Sequence, residues 1–261
     1  MKILIIGDII GRPGRHATIR AIKELKKENE IDLVIANGEN LAHGLGMTQK
    51  TFDEMQNGGV DFFTTGNHIL KRPEIFTEME KKNTKIIRPA NFPPGNAGKG
   101  YQVISKNGKK ILIINLSGRV FMDHCYDCPF RAVDQILDEF KKVKLDGILV
   151  DFHGEATSEK IAMKHYLNGR VSALWGTHTH VPTADSEITD KGLAYITDVG
   201  MVGSADSVIG VEKENVIDSF LRQTNFKLEV AGGRCIFSAI MIEITGRTSC
   251  KSINLIQKYI D

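Results

Sequence analysis

Short apolar runs alternate with helix-like segments along the first part of the chain. Residues 2–6, 31–36 and 61–65 are apolar runs of strand length, and each is followed by a polar turn that contains glycine. Between them, apolar residues recur at helical spacing, and Thr48 can cap the second of these helices. This alternation favours a largely parallel, buried sheet with helices on its faces.

The rest of the chain adds further strands. Residues 101–105 and 109–115 are strand-like runs joined through Asn107-Gly108, a pair typical of tight hairpins. Later strand-like runs are at residues 147–152, 172–175 and 193–197, and a helix is predicted at 158–167.

The C-terminal stretch and the absence of internal divisions complete the predicted architecture. Residues 226–256 are expected to form antiparallel strands around Gly232-Gly233. We find no linker, low-complexity tract or repeat in the sequence. The pattern therefore predicts a single domain over residues 1–261, an α/β sandwich of mixed sheets.

Composition and charge narrow the classes of function. The 261 residues are 41% hydrophobic and 25% charged, and 34 basic against 32 acidic residues give a net charge of +2. This balance gives no reason to expect tight binding to long nucleic acid or to an anionic membrane. No apolar run approaches the ~18 residues of a membrane-spanning helix, and no signal-peptide core is evident, so we expect a cytoplasmic protein.

The four cysteines leave one question open. Cys125 and Cys128 form a lone C-x-x-C, while Cys235 and Cys250 are too far apart to complete a zinc knuckle. We interpret the C-x-x-C as free thiols in a surface loop, with a redox-sensitive loop as the alternative.

Polar residues that can bind metal follow the predicted strands. They are Asp8, Glu39, Asn40, Asn67, His68, His153, His178 and His180. In open α/β sheets, ligands bind outside the carboxyl ends of the strands, so residues far apart in sequence can meet there. A common site at this edge is therefore the main functional expectation.

Taken singly, these residues also have structural interpretations. Asp8 is equally well explained as a helix cap or a turn residue, and His153 alone is more often a hydrogen-bonded core histidine. The pair His178 and His180 is more often an exposed strand, in which both imidazoles project to the same side. Taken together, such explanations require polar residues to occur by chance at each of five strand ends.

The donor types indicate the kind of metal. Carboxylates, amide oxygens and imidazoles together suit Mn, Fe or Zn, whereas an all-oxygen set favours Mg or Ca. Even seven of these eight residues exceed the number of ligands that one tetrahedral ion needs. Two ions ~3.5–4 Å apart and bridged by one carboxylate would use them all.

The ordered series of motifs resembles the calcineurin-like metallophosphoesterase superfamily. The motifs are Gly7-Asp8, Gly38-Glu39-Asn40, Gly66-Asn67-His68, His153 and Gly176-Thr177-His178-Thr179-His180. The bacterial YmdB-like phosphodiesterase branch is similar more narrowly, at residues 38–44, 88–93, 151–159, 176–181 and 197–200. This resemblance spans nearly the whole chain and implies a four-layered α/β/β/α sandwich.

The resemblance also implies a role for each residue. Glu39 would bridge two metal ions, and His68 would lie beside the phosphate without binding metal. The remaining ligands would be Asp8, Asn40 and His180 for one ion, and Asn67, His153 and His178 for the other. Ile10 stands where most of the superfamily has a metal-binding histidine, and Glu39 where most have aspartate. Both departures agree with the narrower branch; Fe or Mn is expected, with Zn less favoured.

The implied activity is hydrolysis of a small phosphodiester. The branch is described as acting on cyclic nucleotides, above all 2′,3′-cyclic ones, with cyclic AMP a further candidate. The nucleophile would be a hydroxide that bridges the metals, and a protonated His68 would supply a proton to the leaving ribose oxygen. We predict that Arg12 and His43 help to hold the phosphate or base, with solvated loop residues as the alternative. A homo-oligomer is also expected.

Other classes of protein explain the sequence less well. A metal- and nucleotide-binding regulatory protein with little turnover is the main alternative, and the presence of His68 argues against it. A serine esterase that begins Gly-Asp-Ser would need a serine where Ile9 stands. A Rossmann dehydrogenase fails because Gly7, Gly11 and Gly14 do not have the G-x-G-x-x-G spacing.

Overall fold

Two six-stranded mixed sheets form the centre of the computed structural model, which describes residues 1–225, 227 and 229–261. The strands are β1 (Lys2–Ile9), β2 (Leu33–Asn37), β3 (Phe62–Thr64), β4 (Tyr101–Lys106), β5 (Lys109–Ser117), β6 (Gly147–His153), β7 (Ala173–Thr177), β8 (Glu187–Ile188), β9 (Ala194–Ile196), β10 (Met201–Ser204), β11 (Cys235–Gly246) and β12 (Ser249–Ile260). The first sheet has the order β12-β11-β10-β1-β2-β3, with β11 also paired to β1, and the second has β4-β5-β6-β7-β9-β8.

Helices cover the outer faces of the sheets. They are α1 (Gly11–Glu28), α2 (Gln49–Asn57), α3 (Phe76–Met79), α4 (Pro129–Glu139), α5 (Thr157–Leu167) and α6 (Lys213–Arg222), with short 3₁₀ turns at Ile69–Lys71 and Pro73–Ile75. The predicted cap of α2 is confirmed, because the Thr48 hydroxyl accepts a hydrogen bond from the backbone N–H of Thr51.

Alternation along β1 divides the core into layers. Ile3 and Ile5 face the second sheet and join an apolar layer that contains the buried Trp175. Leu4 and Ile6 face the other way and pack in the layer that includes residues of α1 and α2. A third apolar layer lies between the second sheet and α4 and α5. The four-layered α/β/β/α sandwich is therefore confirmed.

The parallel strands bring polar side chains to one edge. In the first sheet β1 is parallel to β2, and β2 to β3; in the second, β5, β6, β7 and β9 are parallel. The register aligns Asp8 of β1 with Asn37 of β2, and His153 of β6 with Thr177 of β7. These strand ends carry the candidate site.

The sequence predicts the position of one hairpin turn correctly and that of another incorrectly. The hairpin at residues 106–108 is confirmed, with Asn107 and Gly108 at φ values of 51° and 74°. Antiparallel β11 and β12 are also present, but their turn lies between Gly246 and Ser249. Gly232-Gly233 precedes β11, because pairing with β10 on one side and β12 on the other extends that strand back to Cys235. Phe226 and Leu228 lie outside the described residues.

No helix among the described residues is long and apolar enough to cross a membrane. All four cysteines are free thiols; Cys125 is exposed, and Cys128 directly precedes α4.

Candidate metal centre

The residues predicted to form the site meet at the carboxyl ends of the parallel strands. Asp8 lies near the end of β1, His153 ends β6, and the others follow β2, β3 and β7. Contacts link all eight predicted residues into one network, which joins the two sheets.

Glu39 is the hub of this network. Its Oε1 lies 3.2 Å from Nε2 of His153, and its Oε2 accepts a 2.9 Å hydrogen bond from the backbone N–H of His68. The side-chain oxygen of Asn37 accepts a 3.1 Å hydrogen bond from the Glu39 N–H, which fixes the turn after β2. Burial alone would raise the pKa of Glu39, but the imidazoles of His153 and His68 outweigh burial and hold this pKa well below its ordinary value.

Three donor atoms converge closely enough to hold one cation. Ligand atoms of Glu39, His153 and His178 all lie within 4.8 Å of one another. Nδ1 of His178 and Oδ1 of Asn67 lie 3.1 and 3.0 Å from Nε2 of His153. Burial, and then repulsion by His153, lowers the pKa of His178 to about 3, so this imidazole is neutral near pH 7.

A second group of donors adjoins the first. Nδ2 of Asn40 lies 3.5 Å from Nε2 of His180, and its Oδ1 lies 2.7 Å from Nδ1 of His68. An amide oxygen has two lone pairs, so Oδ1 can accept from His68 and still bind a cation. Nδ1 of His180 donates a 2.9 Å hydrogen bond to the carbonyl of Ile209. The lone pair of this imidazole is therefore on Nε2, where it can bind a cation. Asp8 accepts from the backbone N–H of His178 at 3.1 Å through Oδ2.

The geometry of the H-x-H segment differs from the sequence prediction. Strand β7 ends at Thr177, and His178 and His180 have φ values of 98° and 65°, so the pair does not lie in an extended strand. The reason is tertiary: the backbone N–H of His178 is held by Asp8, and that of Thr179 by Asp198. The two imidazoles therefore reach the site from a turn.

A buried ion pair supports that turn. Nζ of Lys160 lies 2.7 Å from Oδ2 of Asp198 and donates to the carbonyl of Thr177 at 2.9 Å. Both charged side chains are buried. No role was predicted for either residue, although Asp198 lies in the family-like segment at residues 197–200.

A hydrogen-bonded chain orients His153 from behind. The Thr177 hydroxyl donates to Oδ1 of Asp151 at 2.7 Å and lies 3.0 Å from Nδ1 of His153. Nδ1–H of His153 therefore donates to Thr177, and Nε2 faces Glu39. Burial raises the pKa of Asp151 to about 7. Burial lowers the pKa of His153, but the negative charge of Glu39 outweighs burial and raises this pKa to about 9. No role was predicted for Asp151, although this charge within an apolar strand begins the family-like segment at residues 151–159.

The site fits metal ions on three observations. The donor set combines carboxylates, amides and imidazoles. The buried Oδ1 of Asp8 has no hydrogen-bond partner among the described residues, and burial raises the pKa of this carboxyl. A Cβ at Gly66 would lie 2.2 Å from Nε2 of His153 and 2.4 Å from Oε2 of Glu39, so only glycine fits beside these donors.

His68 has a different environment from the other histidines. Its Nδ1 lies 2.7 Å from Oδ1 of Asn40, and 28% of its side chain is exposed. Burial lowers the pKa of His68, and the charge of Glu39 opposes this effect. The Nδ1 contact leaves Nε2 available to a bound molecule.

Arg12 and His43 are both exposed. Neither makes a side-chain hydrogen bond or an ion pair with another described residue. His43 has a left-handed backbone, with φ of 54°. Their proposed contacts with substrate stay predictions.

The chain matches a known protein family along almost its whole length. The family model described as YmdB-like protein matches residues 4–256. The chain belongs to this family. It is 43% identical over 248 residues to a protein of Bacillus subtilis (strain 168) named 2′,3′-cyclic-nucleotide 2′-phosphodiesterase, an alignment that covers 95% of this chain and 93% of the relative. The resemblance inferred from the strand-end motifs is confirmed.

Solved structures agree with this family assignment. A hypothetical protein from Thermus thermophilus has a TM-score of 0.93 and 39% identity, with each chain fully covered at 100%. The NAD nucleotidase of Haemophilus influenzae has a TM-score of 0.58 at 13% identity, covering 99% of this chain and 56% of its own. The latter likeness shows the shared fold alone.

We predict that Thr177→Val weakens metal binding by about 10- to 100-fold, the usual cost of losing a group that orients a ligand. Valine keeps the shape but leaves His153 without its hydroxyl partner. Titration with Mn²⁺ measures the change, and Thr248→Val in the β11–β12 turn is the control. Equal affinities for the two variants would contradict the orienting role.

Proposed function

We propose that this protein is a dinuclear metal-dependent phosphodiesterase that hydrolyses small phosphodiesters, with 2′,3′-cyclic nucleotides as the preferred class. The observation that carries the proposal is the convergence of Glu39, His153 and His178 at the strand ends. The name of the Bacillus subtilis relative supports the choice of substrate. Cyclic AMP is a further substrate to be tested.

The ligand assignment follows the two groups of donors. Glu39 would bridge both sites, because its Oε1 lies 3.4 Å from Nδ2 of Asn40 in one group and 3.2 Å from Nε2 of His153 in the other. Asp8, Asn40 and His180 would hold one ion, and Asn67, His153 and His178 would hold the other. Such ions supply a water-derived nucleophile near neutral pH and neutralise charge on the phosphate. Imidazole and oxygen donors together suit Fe or Mn.

His68 contributes proton transfer. Its backbone N–H is fixed by Glu39 and its Nδ1 by Asn40, so the ring has one orientation. As the oxygen of the attacking water bonds to phosphorus, the P–O bond to the ribose breaks and the leaving oxygen takes the proton from Nε2 of protonated His68. The proton released by that water then restores the ring. Such a positioned acid contributes typically ~10²–10⁴ in rate.

We expect phosphodiesters to be better substrates than phosphomonoesters. A screen of 2′,3′-cyclic nucleotides, cyclic AMP, aryl diesters and nucleoside monophosphates measures kcat/KM for each class. The 2′,3′-cyclic nucleotides should rank first, and a long RNA should bind weakly because the net charge is only +2. Faster turnover of monoesters than of every diester would overturn the proposed specificity.

Replacing Glu39 by Gln should remove metal and activity together. The bridging carboxylate serves both ions, so elemental analysis should find about two transition-metal ions per chain in the original protein and neither in the variant. Glu187→Gln, at a surface ion pair with Lys164, is the matched control and should retain both. A single tightly bound ion in the original protein, or magnesium alone, would rule out the dinuclear centre.

His68→Ala should separate proton transfer from metal binding. The variant should keep both ions and its melting temperature but lose about 10²–10⁴ in kcat on a 2′,3′-cyclic nucleotide. The loss should shrink on an aryl diester, because a nitrophenolate leaves without a proton. Equal losses on both substrates, or a loss of metal, would show that His68 is not the acid.

A further inference from the structure

An aromatic pocket adjoins the candidate metal centre. Its volume is about 410 Å³, and its wall includes Asn67, Lys71, Phe92, His124 and Tyr126. That size lies within the range of ~300–1,000 Å³ typical of sites for small molecules. Because Asn67 also contacts His153, a ligand in the pocket would lie directly beside the donor cluster.

Two stacked rings form one wall of this pocket. The centroids of Phe92 and Tyr126 are 4.5 Å apart with an interplanar angle of 17°. The guanidinium of Arg88 lies 5.9 Å from the ring centre of Phe92. Phe92 is buried and Tyr126 is only partly so, which makes Tyr126 the ring that a ligand can reach. A supported aromatic ring of this kind is a stacking platform for a planar base.

The chemistry of Tyr126 also connects the pocket with the metal centre. Burial, followed by the negative charge of Glu39, raises the pKa of Tyr126 to about 12. A tyrosine phenol is already neutral near physiological pH, and this shift keeps it neutral at higher pH as well. Neutrality suits a base platform, because a phenolate would repel the anionic phosphate.

A second pocket beside the centre provides a weaker site for a base. It measures about 630 Å³ and adjoins His180, with aliphatic lining from Val181, Val208 and Ile209. Its aromatic residue, Tyr259, already contacts the guanidinium of Arg234, which lies 4.5 Å from the ring centre. Stacking therefore favours the pocket of Tyr126.

We propose that the pocket formed by Phe92 and Tyr126 binds the nucleobase of the cyclic nucleotide, with Tyr126 as the stacking residue. This inference rests on the proposed function and adds the residue that distinguishes a nucleotide from other cyclic phosphodiesters. Every base has a planar face, so the pocket selects for the presence of a base more than for its identity.

The test compares two substrates that share the reacting ring. One is 2′,3′-cyclic AMP, and the other is the five-membered cyclic phosphate of glycerol, which has no base. Tyr126→Leu should raise KM for the nucleotide by about 5- to 100-fold, the loss expected for one base-stacking ring. It should leave kcat on the nucleotide and both constants on the glycerol substrate nearly unchanged. Tyr126→Phe should retain the original KM.

Tyr259→Leu, the same substitution in the other pocket, is the matched control and should leave the KM of both substrates unchanged. A base-dependent loss in Tyr259→Leu but not in Tyr126→Leu would overturn the proposal, as would equal losses on the two substrates in Tyr126→Leu. In either case the original protein still hydrolyses both, and the proposed function stands. If the original protein hydrolyses neither, the proposed function fails, and this inference fails with it.

Discussion

The contact between Glu39 and His153 joins the two sheets at the edge where the chemistry gathers. Glu39 follows β2 of the first sheet, His153 ends β6 of the second, and Oε1 and Nε2 lie 3.2 Å apart with both side chains buried. The apolar layer between the sheets sets their separation. That contact forms only when the sheets pack in the observed register. The packing of the two sheets therefore also determines the geometry of the site.

The site contains a buried, unpaired polar atom and backbone angles that are uncommon in folded proteins. Asp8 has a buried oxygen without a partner among the described residues, and two histidines have left-handed backbones. A buried, unpaired oxygen and an unfavourable φ each cost about 1–3 kcal/mol. Bound cations would offset these costs, because a ligand that binds the folded chain and not the unfolded chain stabilises the folded state. Local departures from folding rules are expected at functional sites.

The sequence was sufficient for the parts of the site that follow from strand ends. Glu39 and His153 were predictable because each closes or follows an apolar run. Asp151 and Lys160 were not, because their effects depend on contacts with Thr177 and Asp198 that only the packed sheets create. The predicted directions of the His178 and His180 imidazoles were wrong for the same reason. Hydrogen bonds to carboxylates distant in sequence bend the backbone out of the strand.

We propose that the paired strand ends hold two metal ions, with Glu39 between them. Anomalous diffraction at the manganese edge, from crystals grown with Mn²⁺, would locate the ions directly. The account predicts two peaks ~3.5–4 Å apart, one on each side of the Glu39 carboxylate. A single peak there, or manganese bound only elsewhere on the chain, would contradict it.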